Sequence, residues 1–253
     1  MTRLLVIAGT ADAAEFVARQ PAGVEILATT FSQLGADCLA SRPGLRLHPG
    51  ALDAAGFAAL LAAEQPDFVV DLSHPFAVEV SRNAKAAAAG QGVAYLRFER
   101  PASAAEGCLH FADFAAAAAA CRQIAGNILL TIGSKNLAPF SCLPDFRQRF
   151  YLRVLAESRI LQELEALHID PGHIFAMKGV ASVELNVALA RQCQAAAIVS
   201  KDSGRTGGVP QKLAAAQQMG IPLLLIDRPP SEVGEAPACH SLAELEKMIY
   251  GNR

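Results

Sequence analysis

The feature that most constrains this chain is a repeated alternation of two kinds of segment. Short runs rich in leucine and β-branched residues alternate with alanine-rich stretches of helical character from near one end to the other. Candidate strands are Leu4–Ala8, Glu25–Thr29, Leu45–His48, Phe68–Leu72 and Ala94–Phe98. A second set follows at Leu109–Phe111, Ile128–Thr131, Phe150–Leu155, Ile174–Met177, Ala197–Ser200 and Leu223–Ile226. Helical stretches between them include Asp12–Arg19, Ala54–Ala63, Ala77–Ala89, Asp113–Ala125, Val183–Arg191 and Pro210–Met219. Strands that are apolar throughout and linked by helices belong to parallel sheets buried on both faces. Right-handed crossovers then place helices on both sides. The pattern predicts an α/β fold of two doubly wound lobes with a cleft between them, residues 1–100 and 101–253. The hinge is expected at Arg100-Pro101-Ala102-Ser103, where proline breaks the pattern. A second irregular stretch, Pro229 to Pro237, precedes a last helix near Ser241–Met248, and the sequence does not say on which lobe that helix packs.

Composition narrows the function classes. Hydrophobic residues make up 52% of the 253 and charged residues 18%, enough apolar material for a core rather than a disordered chain. The net charge of −2 provides no bulk field for nucleic acid or an anionic membrane, so any anionic ligand must be caught by local basic groups. Six cysteines, at positions 38, 108, 121, 142, 193 and 239, include no CxxC pair, which points to reduced thiols in a cytoplasmic protein and to no zinc site. The opening MTRLLVIAGTADAAEF reads as a first strand and turn rather than a leader, because its apolar run is short. The alanine run Ala115–Ala120 is too short to span a bilayer. No His, Asp or Glu cluster has metal-ligand spacing, and neither a Gly-x-Ser-x-Gly elbow nor a Tyr-x-x-x-Lys pair is present.

In open parallel sheets, ligands bind beyond the carboxyl ends of the strands, and the distinctive segments all fall there. Ala8-Gly9-Thr10-Ala11-Asp12 follows the first strand, where a glycine turn and a helix N-terminus suit a phosphate, although GxGxxG is absent and Asp12 would serve equally as a helix cap. Asp71-Leu72-Ser73-His74-Pro75-Phe76-Ala77 runs from a strand into a polar pair and a helix start. Ser73 is a natural cap there, and His74 at the ligand edge is a candidate proton donor. Arg82 and Lys85 on the next helix suit anion binding or an ordinary solvated face. Thr131-Ile132-Gly133-Ser134-Lys135 repeats the theme of strand, glycine turn and cation. The densest signal is Lys201-Asp202-Ser203-Gly204-Arg205-Thr206-Gly207-Gly208, closing at Pro210-Gln211-Lys212. Successive N–H groups and cations there would form an anion-binding concavity, without the GxxxxGK[ST] pattern of ATP hydrolysis. Ala176-Met177-Lys178-Gly179 to Asn186 also follows a strand.

Taken in order, these segments resemble the precorrin-6A reductase and cobalt-precorrin-6A reductase family from Leu5 to about Pro229. The resemblance is carried by Gly9–Asp12, Ala28–Gly35, His48–Asp53, Ser73–Ala77, Tyr95–Pro101, and Lys201–Gly204 with Gly207, Gly208 and Lys212. Two stretches depart from it. The family usually shows Met-Gln-Gly-Pro-Phe-Ser where this chain has Met177 to Ser182, and glutamate where it has Gln211. The resemblance implies Rossmann-like lobes, NADPH or NADH as cofactor, and reduction of one double bond of a tetrapyrrole macrocycle in cobalamin biosynthesis. It implies dinucleotide contacts at Gly9, Thr10, Asp12, Thr30 and Ser32, joined by Lys201, Ser203, Gly204, Gly207 and Gly208. Contacts to the macrocycle's acetate and propionate groups fall to Ser73, Arg82, Lys85, Arg97, Lys135, Lys178, Arg205 and Lys212, with His74 as the catalytic group. Partners would be the macrocycle itself and other corrin-pathway enzymes, with no nucleic acid and no membrane. Two other readings stay open: a reductase of the same architecture with another substrate, and a dinucleotide- or phosphate-sensing module without chemistry.

Overall fold

The computed structural model describes residues 1–39, 41–100, 106–229 and 238–251. The chain divides into two compact units, one formed by Met1–Pro101 with Pro230–Arg253 and the other by Ala102–Pro229. In the first unit β1 (Arg3–Ile7), α1 (Ala11–Arg19), β2 (Glu25–Thr30), α2 (Gln33–Ala36), β3 (Leu45–Pro49), α3 (Ala54–Glu64), β4 (Phe68–Asp71), α4 (Val78–Gly90) and β5 (Ala94–Phe98) alternate as the hydrophobic pattern requires. The second unit contains β6 (Leu109–Phe111), α5 (Phe114–Cys121), β7 (Asn127–Leu130), α6 (Ala138–Ser141), α7 (Phe146–Arg149), β8 (Phe150–Val154), α8 (Ser158–Ala166), β9 (Ile174–Ala176), α9 (Val183–Gln192), β10 (Ala195–Lys201), α10 (Val209–Met219) and β11 (Leu223–Ile226). The chain then returns to the first unit with β12 (Ala238–Cys239) and α11 (Leu242–Tyr250).

Each unit holds a six-stranded sheet with every pairing parallel, in the orders β12-β5-β4-β1-β2-β3 and β6-β11-β10-β7-β8-β9. The two are the same arrangement: a central first strand, two successors on one side and two on the other, with a sixth strand at the edge. In the first unit that sixth strand comes from the chain's end, and in the second it is β6, which precedes the other five. Each sheet therefore has a switch point, between β1 and β4 and between β7 and β10.

Side-chain alternation explains why both faces are covered. Leu4, Val6, Val70 and Leu96 pack with Phe16 and Val17 of α1 and with Leu242, Leu245 and Ile249 of α11. Leu5, Ile7 and Val69 point the other way, against Phe57 and Leu61 of α3 and Ala84 and Ala88 of α4. The apolar positions of α11 recur at helical spacing, so its buried stripe needs a sheet face, and β12 pairing with β5 brings it to the first unit's. The sequence-based division at residue 100 is thus corrected for the last segment, which packs in the first unit. Of the expected hinge, only Arg100 lies within the described residues, as does only Pro229 of the irregular stretch that follows β11.

Candidate functional site

The first unit's switch point joins two loops directly. Gly9, with φ +111°, turns the chain from β1 into α1 in a conformation that favours glycine, and a Cβ there would meet nothing within 4 Å. Thr10 caps α1 by accepting from Ala13 N–H at 3.1 Å, while its own hydroxyl donates to Leu72 O at 2.8 Å in the loop after β4. Thr30, at the end of β2, donates to Ser32 O at 3.0 Å, and Ser32 caps α2. Gly9, Thr10, Thr30, Ser32 and His74 therefore lie on one sheet edge, around an open turn at the N-terminus of a nine-residue helix. Asp12 is not the cap of that helix. It sits in the first turn, buried, and its carboxylate is paired with Arg100 Nε at 2.5 Å, so its side chain is committed within the protein.

Beneath the loop after β4 lies a buried polar network. The Asp71 carboxylate accepts from Arg97 Nη1 at 2.6 Å, Tyr95 Oη at 2.6 Å and Ser73 N–H at 2.8 Å. Arg97 Nη1 also donates to Ser73 Oγ at 2.8 Å, and Ser73 Oγ lies 3.3 Å from Ser81 Oγ. Burial first, and then the Asp71 carboxylate, push the Tyr95 hydroxyl far up from its ordinary value, so it remains a donor. Ser73 caps no helix, because α4 starts five residues later at Val78 with no side-chain cap, and Pro75 lies outside it. Arg97, expected to hold the macrocycle, is instead the buried counter-ion of Asp71. One residue on, His74 is half-buried, and its Nδ1 accepts from Phe76 N–H at 3.2 Å, which leaves the ring proton of the neutral form on Nε2. On α4, Arg82 is exposed and Lys85 half-buried.

The second unit's switch point carries the loop 201–208. Asp202 Oδ1 accepts from Gly204 N–H at 3.1 Å, and Arg228 pairs with its other oxygen at 3.4 Å. Ser203 Oγ donates to Gly207 O at 3.1 Å, closing the loop on itself. Gly204 and Gly208 have φ of +73° and +77°, and a Cβ on Gly208 would stand 2.6 Å from Val180 Cγ1. Lys212, on α10, is buried, and its Nζ donates to Ser200 Oγ at 2.9 Å and Gly207 O at 3.2 Å. Lys135, Lys178 and Arg205 stand exposed in loops at the same carboxyl edge.

Burial, and then Lys135, push the Lys201 ammonium down to about 8. Burial, Arg153 and Lys201 together push Lys212 down to about 7. Arg153 was not legible as a site residue. It stands near the end of β8, and burial works against its charge. It donates to Asn186 Oδ1 at 3.0 Å, and Asn186 in turn donates to Ala181 O and Ser182 O. Arg153 alternates with apolar strand residues, and only the packing of α9 and α10 shows what it meets. Among the described residues no group of His, Cys, Asp and Glu is placed to hold a metal, and no helix is long and apolar enough to cross a membrane.

A family model described as Precorrin-6x reductase CbiJ/CobK matches residues 3–250. The chain is 35% identical to a precorrin-6A reductase of Rhodobacter capsulatus, over 98% of this chain and 95% of that one. It is 34% identical to a cobalt-precorrin-6A reductase of Methanothermobacter thermautotrophicus, over 89% of this chain and 76% of the relative. A solved structure titled CobK precorrin-6A reductase superposes with a TM-score of 0.77 at 30% identity, covering 98% of this chain and 96% of that chain.

Proposed function

The chain belongs to the precorrin-6x reductase family, and from that premise we propose that it reduces one double bond of precorrin-6A, or of its cobalt form, at the expense of NADPH or NADH. The match across residues 3–250 carries the reading. The geometry supports it: the turn at Gly9, the N-terminus of α1 and the Thr30–Ser32 segment suit a dinucleotide at the first unit's edge. The nicotinamide would supply the hydride; the protein's share is positioning and field.

With the hydride on one end of the double bond, the other end would need a proton, and placing its donor would fall to this chain's own residues. His74, held through Ser73 on the Asp71–Arg97 network, would present Nε2–H as the proton donor or as the hydrogen bond that polarises the substrate. Exposed cations of the second unit, Lys135, Lys178 and Arg205, would take acetate and propionate groups by charge-assisted bonds. Reduced thiols on all six cysteines fit a cytoplasmic setting.

The test is a spectroscopic turnover assay with metal-free and cobalt-bound substrate, each with both nicotinamides. Oxidation of one nicotinamide with one macrocycle is expected. Dinucleotide binding with no hydride loss to either macrocycle would overturn the reading.

A further inference from the structure

Two cations of the second unit, Lys212 buried and Arg153 half-buried, have neutral partners. Arg153 donates to the Asn186 amide, and Lys212 to a hydroxyl and a backbone carbonyl. Among the described residues neither forms a salt bridge, and the one acid of the 201–208 loop, Asp202, is taken by Arg228. The two belong to one corner: Arg153 is held by Asn186, which holds the carbonyls of Ala181 and Ser182, and the adjoining Val180 lies against Gly208, next to the Gly207 carbonyl that takes Lys212. There the charge of Arg153 works against that of Lys212. Desolvated like charges without a counter-ion are costly, and a fold keeps them where something else supplies the negative charge.

Lys212 is also dispensable to the groups it touches. Ser200 Oγ has Lys201 O as a second partner at 3.2 Å, and Gly207 O accepts from Ser203 Oγ. Removing the ammonium would strand neither. The arrangement around the pair is nonetheless built. Asn186 fixes Arg153 while holding the carbonyls of Ala181 and Ser182. A Cβ on Gly208 would stand 2.6 Å from Val180 Cγ1, so a side chain there requires Val180 to move, and α10 starts there without a side-chain cap. Its N-terminus adds partial positive charge beside Lys212.

We propose that Arg153 and Lys212 form an oxyanion subsite of the second unit, oriented through Asn186, that takes a carboxylate or phosphate group of the ligand. An oxyanion there supplies the missing counter-charge and the acceptors for an arginine fork and the Lys212 ammonium. The subsite deepens the reductase reading, which brings both chemistries to the protein: phosphates on the nicotinamide cofactor, carboxylates on the macrocycle.

The experiment titrates inorganic pyrophosphate and, separately, propane-1,2,3-tricarboxylate into the full chain by calorimetry. It compares the parent with Arg153→Met, Arg153→Lys and Lys212→Met. At least one anion is expected to bind, about tenfold more weakly to both methionine variants, with part of the loss recovered in Arg153→Lys. Lys212→Met should hold or raise the thermal midpoint, because it removes a buried uncompensated charge. Whether pyrophosphate or tricarboxylate is lost assigns the subsite to phosphate or carboxylate, and the KM that rises in turnover, for nicotinamide or for macrocycle, gives the same assignment. Anion affinity unchanged in both methionine variants, or no binding to the parent, would overturn the subsite. So would a lowered midpoint for Lys212→Met at unchanged affinity, which marks a structural tether. A parent that binds the anions without turning over either macrocycle refutes the reductase reading and leaves the subsite standing.

Discussion

One carboxylate organises the loop that carries His74. Asp71 accepts three hydrogen bonds in a buried setting, from the strand neighbours Tyr95 and Arg97 and from the loop itself. Asp71→Ala strands the Arg97 guanidinium, and a loss of about 3–5 kcal/mol is expected in denaturant unfolding. His74→Ala leaves that network intact, so it should lower kcat by roughly 10²-fold or more, with nicotinamide affinity held within about twofold. Equal losses in kcat and affinity would assign His74 to binding instead. Lys212 makes a third prediction. Its ammonium, ordinarily near 10.5, is pushed down to about 7 by burial and by Arg153 and Lys201. Between those values the unfolded chain binds more protons than the folded one, so this group makes stability rise with pH from about 7 upward. The rise in unfolding free energy from pH 7 to 9, measured by denaturant, should be smaller in Lys212→Met; an identical rise would show that the lysine does not titrate as described.

Among the elements, the Gly208 corner between the 201–208 loop and α10 is exacting. It combines a left-handed φ with a Val180 methyl that a Cβ would meet at 2.6 Å. Gly208→Ala is expected to cost about 1–3 kcal/mol and to weaken anion binding at Lys212, read by thermal unfolding and calorimetry. A neutral substitution would mean that Val180 and the corner shift freely. The glycine-rich loop was legible because its composition is dense and local. The cap reading of Asp12 failed for the opposite reason: from sequence its carboxylate can only be judged against its own helix, and its partner Arg100 lies 88 residues away. Ser73 as a cap failed in the same way, since its partners Arg97 and Ser81 are brought to it by the sheet and by α4.

For the molecule as a whole, the return of the chain's end to the first sheet has consequences of its own. β12 pairs at the edge of β5, and Leu242, Leu245 and Ile249 help cover the face that α1 leaves open. A chain ending before Ala238 keeps every first-unit loop residue yet exposes that apolar face. It is expected to lose nicotinamide binding by calorimetry together with its first-unit cooperativity. Retained affinity within about twofold would show that the last segment is only a cover.

What the amino-acid order determined alone was everything local: apolar runs that must be buried on both faces, helices between them, and glycine-rich turns and cations just past the strand ends. Those follow from periodicity and backbone preference within a few residues. Strand order and convergence were decided only in three dimensions. That β10 lies beside β7, that Asn186 on α9 meets Arg153 on β8, and that α11 rejoins the first sheet depend on contacts between segments far apart in the chain. Each such contact closes a long loop, and its energy comes from packing and charge that no local window contains.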